Sequence, residues 1–170
     1  MIILETQRLI LRELTIDDLP ATKEIVSDEQ TMYAFGGAWN DEKNLEALQK
    51  QIKSYRENGF GRWAVVLKET EQVIGICGLI WLDIEKDRLP EIGYFFNRAF
   101  WNRGYAAEAA IASTRYALNT LKFDEVFLII RDTNYAAMNV AIKSGMLVRG
   151  RYGNENDPFY NYIFSVKKLV

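Results

Sequence analysis

The sequence predicts a protein of the α/β or α+β class, with a mixed sheet that carries helices on both faces. Two observations predict this architecture. The chain of 170 residues is 49% hydrophobic and 26% charged, which is typical of one globular domain over residues 1–170. Strand-like and helix-like segments also follow each other in the order β-α-α-β-β-β-α-β-α-β-β, a pattern typical of helices packed on a sheet.

The first third of the chain predicts one strand and two helices. Residues 8–12 alternate charged and branched apolar side chains, which indicates a strand. A helix is expected to begin near Thr15 or Asp17, whose side chains can cap it. Residues 30–39 combine aromatic side chains with two glycines and are predicted to form a loop. A second helix then follows Asn40, a favourable capping residue.

The middle of the chain predicts three strands, a helix and a fourth strand. Residues 62–68 and 73–83 flank a polar segment, which indicates a hairpin, and a third strand covers residues 89–97. Residues 105–121 place alanines and leucines on one face of a helix that can lie close to the sheet. The continuous apolar run within residues 125–131 favours a strand buried on both faces.

The last segments predict a short helix and two strands. The helix covers residues 135–144 and ends at Gly145. The strands lie near residues 146–152 and 160–167.

The composition excludes several classes of function. The chain has no histidine and one cysteine, which excludes histidine-based catalysis and argues against a zinc site. The net charge of −2 argues against a nucleic-acid binder. No apolar run approaches the length of a membrane span, and the first residues do not resemble a signal peptide. With a single cysteine, these features predict a cytoplasmic protein.

A glycine-containing loop leads into the helix predicted over residues 105–121. The first turn of a helix leaves backbone N–H groups without partners, and the helix dipole adds positive charge there, so a phosphate fits. Gly104 permits close approach of the backbone, and Arg98 and Arg103 add charge. The alternative is an ordinary strand-to-helix turn. The loop matches neither a P-loop nor a dinucleotide-binding fingerprint.

The loop belongs to a longer motif, Trp-Asn-Arg-Gly-Tyr-Ala-Ala-Glu-Ala, at positions 101–109. This motif resembles the pyrophosphate-binding motif of the GNAT superfamily of N-acetyltransferases, especially the branch of bacterial ribosomal-protein N-terminal acetyltransferases. Positions 5–12 resemble the opening strand of that branch, positions 91–94 the strand before the loop, and positions 134–146 its second cofactor-binding motif.

The resemblance implies a GNAT-like fold, whose mixed, mostly antiparallel sheet has about six or seven strands and a central V-shaped splay. It implies acetyl-CoA as co-substrate and no metal. The residues that it assigns to the cofactor are Tyr94, Phe95 and Phe96 along the pantetheine arm, Asn102, Arg103, Gly104, Tyr105, Ala106 and Ala107 around the pyrophosphate, and Asn134 and Asn139 in the second motif. Asn134 also fits a purely structural role as a helix cap.

The sequence departs from the family pattern at four positions. Many relatives have glycine where Asn102 stands, although the backbone amide is still present. Ala141 and Ala137 occupy the positions of a tyrosine and a serine that serve relatives as the thiolate's proton donor, and Ile129 occupies the position of a glutamate base.

These departures leave Glu91 as the first candidate base, acting directly or through water, the alternative being an ordinary carboxylate on a strand. Glu155 and Asp157, in the loop before the last strand, are further candidates. Three tyrosines are candidate proton donors that the sequence does not rank: Tyr94, Tyr152 and Tyr160.

The resemblance predicts transfer of an acetyl group from acetyl-CoA to a primary amine by direct attack in a ternary complex. The α-amine at a peptide or protein N-terminus is the favoured acceptor. The alternatives are a small amine or an antibiotic as acceptor, or a CoA-binding module that has lost catalysis. Either a monomer or a homodimer is compatible with the sequence, and Cys77 is expected to be a packing residue.

Overall fold

The computed structural model describes residues 1–84, 86–153 and 158–168. Its eight strands form one sheet in the order β1-β2-β3-β4-β5-β6-β8-β7. All neighbouring strands are antiparallel except β5 and β6, which are parallel. The strands are β1 (Ile2–Glu5), β2 (Leu9–Arg12), β3 (Arg62–Leu67), β4 (Val73–Ile84), β5 (Asp87–Phe96), β6 (Glu125–Arg131), β7 (Leu147–Tyr152) and β8 (Asn161–Lys167).

Five helices cover the two faces of this sheet: α1 (Leu19–Val26), α2 (Glu29–Met32), α3 (Asp41–Asn58), α4 (Tyr105–Asn119) and α5 (Tyr135–Lys143). Side chains that alternate along the central strands separate the core into two parts. Trp63 and Val65 point toward α4, whereas Ala64 and Val66 point toward α1 and α3. The predicted arrangement, with helices on both faces of a mixed sheet, is confirmed.

Local capping explains where two of the helices begin. The Asn40 side chain accepts a hydrogen bond from the Lys43 N–H at 2.9 Å, as its position before α3 predicts. The helix expected near Thr15 starts later, because residues 16–18 form a 3-10 turn and α1 begins at Leu19, with Pro20 in its first turn.

The most important feature of the sheet is its one parallel pair. Strands β5 and β6 are bridged only where Glu91 lies opposite Phe127, and the ladder does not continue from there to the end of β5. The strands therefore separate toward Phe96 and Arg131, which produces the expected V-shaped splay.

Two predictions about the N-terminal region were wrong. The sheet has eight strands rather than six or seven, because residues 2–5 form an additional edge strand against β2. Their run of consecutive apolar residues lacks the alternation that identifies a half-buried strand. Residues 30–39, predicted to be a loop, instead contain the end of α2 and a 3-10 turn at residues 33–35. The Asp28 side chain caps α2 by accepting from the Thr31 N–H at 2.8 Å.

A buried carboxylate connects β2 to the turn before α1. Asp18 accepts two hydrogen bonds from the Arg12 guanidinium, at 2.7 and 2.8 Å, and one from the Thr15 N–H at 2.8 Å. Burial alone would raise the pKa of Asp18, but the bonds from Arg12 and Thr15 hold it below its usual value.

Replacing Asp18 with Asn should therefore lower the free energy of unfolding at pH 7 by about 1–3 kcal/mol, because charged hydrogen bonds are lost. Because the pKa of Asp18 is lower in the folded than in the unfolded state, Asp18 stabilises the fold at pH values above its unfolded pKa of about 3.9. This stabilisation is lost as the pH falls through the folded pKa. The difference in the free energy of unfolding between wild type and variant should therefore become smaller below about pH 4. Urea unfolding between pH 2 and pH 7 measures this difference.

The exposed neighbour Asp17 provides the control, since Asp17→Asn should change stability little at any pH. A gap of constant size down to pH 2 would contradict the assignment.

Candidate active site

The loop between β5 and α4 has a backbone shape that exposes N–H groups. Asn102 has φ of +60° and Gly104 has φ of +82°, so two residues within three positions adopt the left-handed conformation. Asparagine tolerates this conformation better than most other residues, so its backbone fits where many relatives have glycine. The Trp101 indole N–H donates to the Phe96 carbonyl oxygen at 2.8 Å and holds the loop against the end of β5.

The start of α4 presents backbone donors beside this loop. The first backbone hydrogen bond into the helix runs from the Glu108 N–H to the Gly104 carbonyl at 3.0 Å. The N–H groups of Tyr105, Ala106 and Ala107 precede this bond and have no intrahelical acceptor. A Cβ atom added at Gly104 would meet only an Arg8 nitrogen, at 3.4 Å, so the space in front of the helix is open. This geometry suits an anion.

A network from the opening strands holds the loop and the helix together. The Glu108 carboxylate accepts from the Thr6 hydroxyl at 2.6 Å and from the Arg8 backbone N–H and Nε, at 2.9 and 2.7 Å. Arg8 also donates to the Arg103 carbonyl at 3.0 Å and lies 4.4 Å above the ring centre of Tyr105. Burial would raise the pKa of Glu108, but the bonds from Thr6 and Arg8 hold it below its ordinary value.

Arg8 and Glu108 lie within the segments that resemble family motifs, but no local pattern in the sequence predicts a role for either residue. The two residues are 100 positions apart. An acidic residue in the first turn of a helix is a common stabilising feature, so Glu108 by itself gave no signal of this network.

One edge of β5 is free along the splay. Tyr94, Phe95 and Phe96 are each paired with β4 on one side, opposite Cys77, Ile76 and Gly75. On the β6 side, no pairing with a described residue extends beyond Glu91. An extended chain can therefore add to this edge through backbone hydrogen bonds.

Glu91 lies at the vertex of the splay. Its carboxylate accepts from the Ile129 N–H on the facing strand at 3.4 Å. Burial raises the pKa of Glu91 above the usual carboxyl range, while the charge of Arg62 and the Ile129 N–H act against the rise. A half-buried carboxylate with a raised pKa at the bottom of a cleft has the properties of a general base.

The structure separates the three candidate tyrosines. Burial, followed by the charge of Glu91, raises the pKa of Tyr152, whose backbone is level with Arg131 at the open end of β6. Tyr94 projects toward the α4 side, where its hydroxyl is buried and has no hydrogen-bond partner among the described residues, and burial raises its pKa. Tyr160 is exposed, with its ring beneath the Arg151 guanidinium at 4.7 Å. The sequence did not indicate that the charge of Glu91 acts on Tyr152.

The second motif forms the start of α5. The Asn134 side-chain oxygen accepts from the Ala137 N–H at 3.1 Å, which confirms its capping role, and no bond from its amide nitrogen is present among the described residues. Asn139 is exposed on the helix. Ala141 is buried and supplies no proton donor. Glu155 and Asp157 lie outside the described residues.

Cys77 lies in the core below this region. Its sulfur is 3.5 Å from the Ser113 hydroxyl, and burial raises the pKa of the thiol to about 12. A protonated, buried thiol is a poor nucleophile, in agreement with a packing role. Within residues 1–84, 86–153 and 158–168, no group of three or more His, Cys, Asp or Glu residues could hold a metal ion. None of the helices in the same ranges is long and apolar enough to cross a membrane.

Comparison with solved structures identifies the same fold elsewhere. A GNAT-family acetyltransferase from Bacillus anthracis superposes with a TM-score of 0.83 at 23% identity, covering 98% of each chain. RimL, a ribosomal α-N-protein acetyltransferase in complex with coenzyme A, superposes with a TM-score of 0.79 at 15% identity, again covering 98% of each chain. At these identities the two similarities establish a shared fold.

Sequence comparison identifies the family. The uncharacterized N-acetyltransferase YoaA of Bacillus subtilis is 27% identical over 177 aligned positions, which cover 98% of this chain and 97% of that protein. The family model described as the acetyltransferase (GNAT) domain matches residues 8–147. The chain belongs to the GNAT family of acetyltransferases.

Proposed function

We propose that the chain transfers an acetyl group from acetyl-CoA to a primary amine, the α-amine at the N-terminus of a peptide or protein. One observation carries the proposal: a half-buried carboxylate lies at the vertex of the β5–β6 splay, between a free strand edge and a helix start that exposes backbone donors. In this proposal the carboxylate lies at the reacting thioester, the free strand edge binds the pantetheine arm, and the helix start binds the pyrophosphate of the co-substrate.

The residues around α4 fit an anionic diphosphate. The left-handed turn at Asn102 and Gly104 and the unpaired first turn of the helix place several backbone N–H groups near one open space. The residues assigned to the diphosphate are Asn102, Arg103, Gly104, Tyr105, Ala106 and Ala107. The α4 dipole and the exposed Arg103 side chain both favour negative charge here.

The free edge of β5 fits the amide-containing pantetheine arm, with backbone groups of Tyr94 and Phe95 as partners. The Phe96 carbonyl already accepts from Trp101, so that residue has less capacity to contribute. The unused amide nitrogen of Asn134 is available as a donor from the β6 side, and Asn139 is a more distant candidate on the exposed side of α5.

Acetyl-CoA, when bound, supplies a thioester whose carbonyl carbon the amine nitrogen attacks. Glu91, through a water molecule, accepts the proton that the amine loses as the C–N bond forms and the C–S bond breaks. Backbone N–H groups on the free edge of β5 donate to the carbonyl oxygen as it gains negative charge. Tyr152, whose pKa is raised by burial and by the charge of Glu91, is the candidate donor of the proton that the sulfur takes up. The protonated thiol of Cys77 makes direct attack the preferred route.

The available groups suit an α-amine better than a lysine side chain. A free α-amine has a pKa of about 7.7–8.0, so roughly 10–20% of it is neutral at pH 7. A lysine amine, with a pKa of about 10.4, is neutral only to about 0.04%. A site with one carboxylate and no histidine matches the amine that requires less activation. RimL, which has the same fold, is itself an α-N-protein acetyltransferase.

Gly104→Val should weaken CoA binding by about tenfold or more, because a branched side chain is strained at positive φ and crowds the space before the helix. Isothermal titration calorimetry with CoA measures the affinity, and circular dichroism verifies that the variant is folded. Gly150→Val is the matched control, because Gly150 has open space and no positive φ. Unchanged affinity in a folded Gly104→Val protein would show that the pyrophosphate lies elsewhere.

Glu91→Gln should reduce kcat by about 10²- to 10⁴-fold, the usual contribution of a general base. Because burial raises its pKa, the wild-type rate should fall on the acid side at a pH above the ordinary carboxyl range, and the variant should lose this limb. Steady-state rates between pH 5 and 9 test this prediction. Glu46→Gln, on the exposed face of α3, serves as control. An identical pH profile in wild type and Glu91→Gln would exclude Glu91 as the base.

Two peptides test the acceptor. One has a free N-terminus and no lysine, and the other has a blocked N-terminus and one lysine. After incubation with acetyl-CoA, mass spectrometry should detect acetylation of the first peptide. Acetylation of the blocked peptide alone would refute the α-amine assignment, and turnover only of a small amine or aminoglycoside would establish the small-molecule alternative. CoA binding without turnover of any amine would indicate a binding module.

A further inference from the structure

We propose that Arg62, with the small cavity that it shares with Trp39, binds a carboxylate of the acceptor, so that the enzyme prefers amines that carry an acidic group several bonds from the nitrogen. This inference rests on the proposed function, because it takes Glu91 to mark the position of the reacting amine.

Arg62 crosses the sheet to reach the candidate site. It lies opposite Gly78 on β4, and Gly78 lies opposite Gly93 on β5. A Cβ atom added at Gly93 would come within 2.5–2.9 Å of the Arg62 guanidinium atoms. The guanidinium therefore occupies the space that a side chain at position 93 would fill. Gly93 is needed here because any larger residue would clash with the guanidinium.

The guanidinium lies on the same face of β5 as the candidate base. Positions 91, 93 and 95 share this face because side chains alternate along a strand. On one side Arg62 lies over the Phe95 ring, with its Cζ atom 5.0 Å from the ring centre. On the other side it approaches Glu91, but no ion pair within 4.0 Å joins Arg62 to any carboxylate of the described residues.

Arg62 is half-buried, and the charge of Glu91 acts on it without a close ion pair between the two side chains. Its Nε atom is buried and has no hydrogen-bond acceptor among the described residues. Burial lowers the pKa of Arg62, which reflects the cost of this environment for a cation. An unpaired buried charge is unfavourable, and a planar carboxylate is the natural complement of a guanidinium.

A second unpaired donor lines the same cavity. The Trp39 indole N–H is also buried without an acceptor among the described residues, and its ring packs 5.9 Å from that of Phe95. The cavity lies between the sheet and helices α1 and α3 and measures about 30 Å³. Its polar lining consists of Thr22, Asn44 and Gln51 in addition to the two donors, and no acidic residue contributes to it. A carboxylate has only hydrogen-bond acceptors, so it can accept from both the Arg62 Nε and the Trp39 indole N–H.

The spacing between Glu91 and the guanidinium indicates which carboxylate fits. Residues two apart on a strand are separated by about 7 Å. An amine that reaches Glu91 through water at the level of position 91, and a carboxylate at the level of position 93, are thus too far apart to belong to the amine and the α-carboxylate of one amino acid. The side chain of an N-terminal aspartate or glutamate bridges more of this distance.

A second arginine on the same face makes a polycationic acceptor less suitable. Arg131, at the open end of β6, donates to the Tyr33 carbonyl at 3.4 Å and lies over the Phe159 ring. Its guanidinium adds positive charge where an acceptor would approach between β6 and the α2 region.

Four peptides test the proposal: they begin with Asp, Asn, Glu or Gln, have free N-termini, lack lysine and are otherwise identical. The wild type should acetylate the acidic member of each pair with kcat/KM higher by roughly 10- to 100-fold, the range expected for hydrogen bonds to a charged group. Arg62→Met should remove this preference by slowing the acidic peptides alone, and Arg62→Lys should retain part of it. Arg56→Met, an exposed change on α3, should leave the preference intact.

Equal kcat/KM for acidic and amide peptides in the wild type would overturn the proposal, as would an Arg62→Met variant that slows all four peptides equally. Faster turnover of free L-alanine than of the acidic peptides would instead assign the subsite to an α-carboxylate and overturn the spacing argument.

A binding measurement separates this proposal from the proposed function. Calorimetry with CoA present compares N-acetyl-aspartyl and N-acetyl-asparaginyl peptides, which require no turnover. If no peptide is acetylated, the proposed acceptor is wrong, whereas tighter binding of the aspartyl product, lost in Arg62→Met, still supports the carboxylate subsite. Equal binding of the two products refutes it.

Discussion

The whole architecture of the site depends on the single parallel contact between β5 and β6. Parallel neighbours cannot be joined by a tight turn, so the chain must cross over, and it does so through α4. The crossover brings the N-terminus of α4 beside the C-terminal end of β5. Since the two strands are bridged only at Glu91 and then diverge, the same region also has a free strand edge and an open cleft. In open sheets, ligands commonly bind at such a break in strand order.

The site is rigid where the proposed diphosphate would bind, because the opening strands are tied to it. Glu108 collects hydrogen bonds from Thr6 and Arg8, and Arg8 also holds the Arg103 carbonyl. A loop with two left-handed residues would otherwise lose considerable conformational freedom on binding. The network therefore prepares the loop in advance, and both Arg8 and Glu108 lie within the residues that the family model matches.

Among the described residues, five buried side-chain polar atoms lack a hydrogen-bond partner, and they belong to Trp39, Arg62, Tyr94, Thr114 and Asp132. The Arg62 Nε and the Trp39 indole N–H line one cavity on the α1 and α3 side, and the Tyr94 hydroxyl lies on the opposite face of the same strand that carries Glu91. Buried donors without acceptors lower stability, and elsewhere in the core most such groups are paired. The Arg62 and Trp39 donors share one cavity, where a bound ligand would provide the missing acceptors.

The sequence by itself determined the class of fold, nearly all of the elements and the glycine-containing start of α4, because periodicity, caps and turn residues act over a few positions. It also indicated Glu91, Tyr94 and the second motif. It missed β1, whose pairing with β2 rather than its own pattern makes it a strand. Only the tertiary structure decided that Arg8 meets Glu108 and that Arg62 fills the space above Gly93. These contacts depend on strand register and on the splay, which join residues far apart in the chain, and no local pattern in the sequence records them.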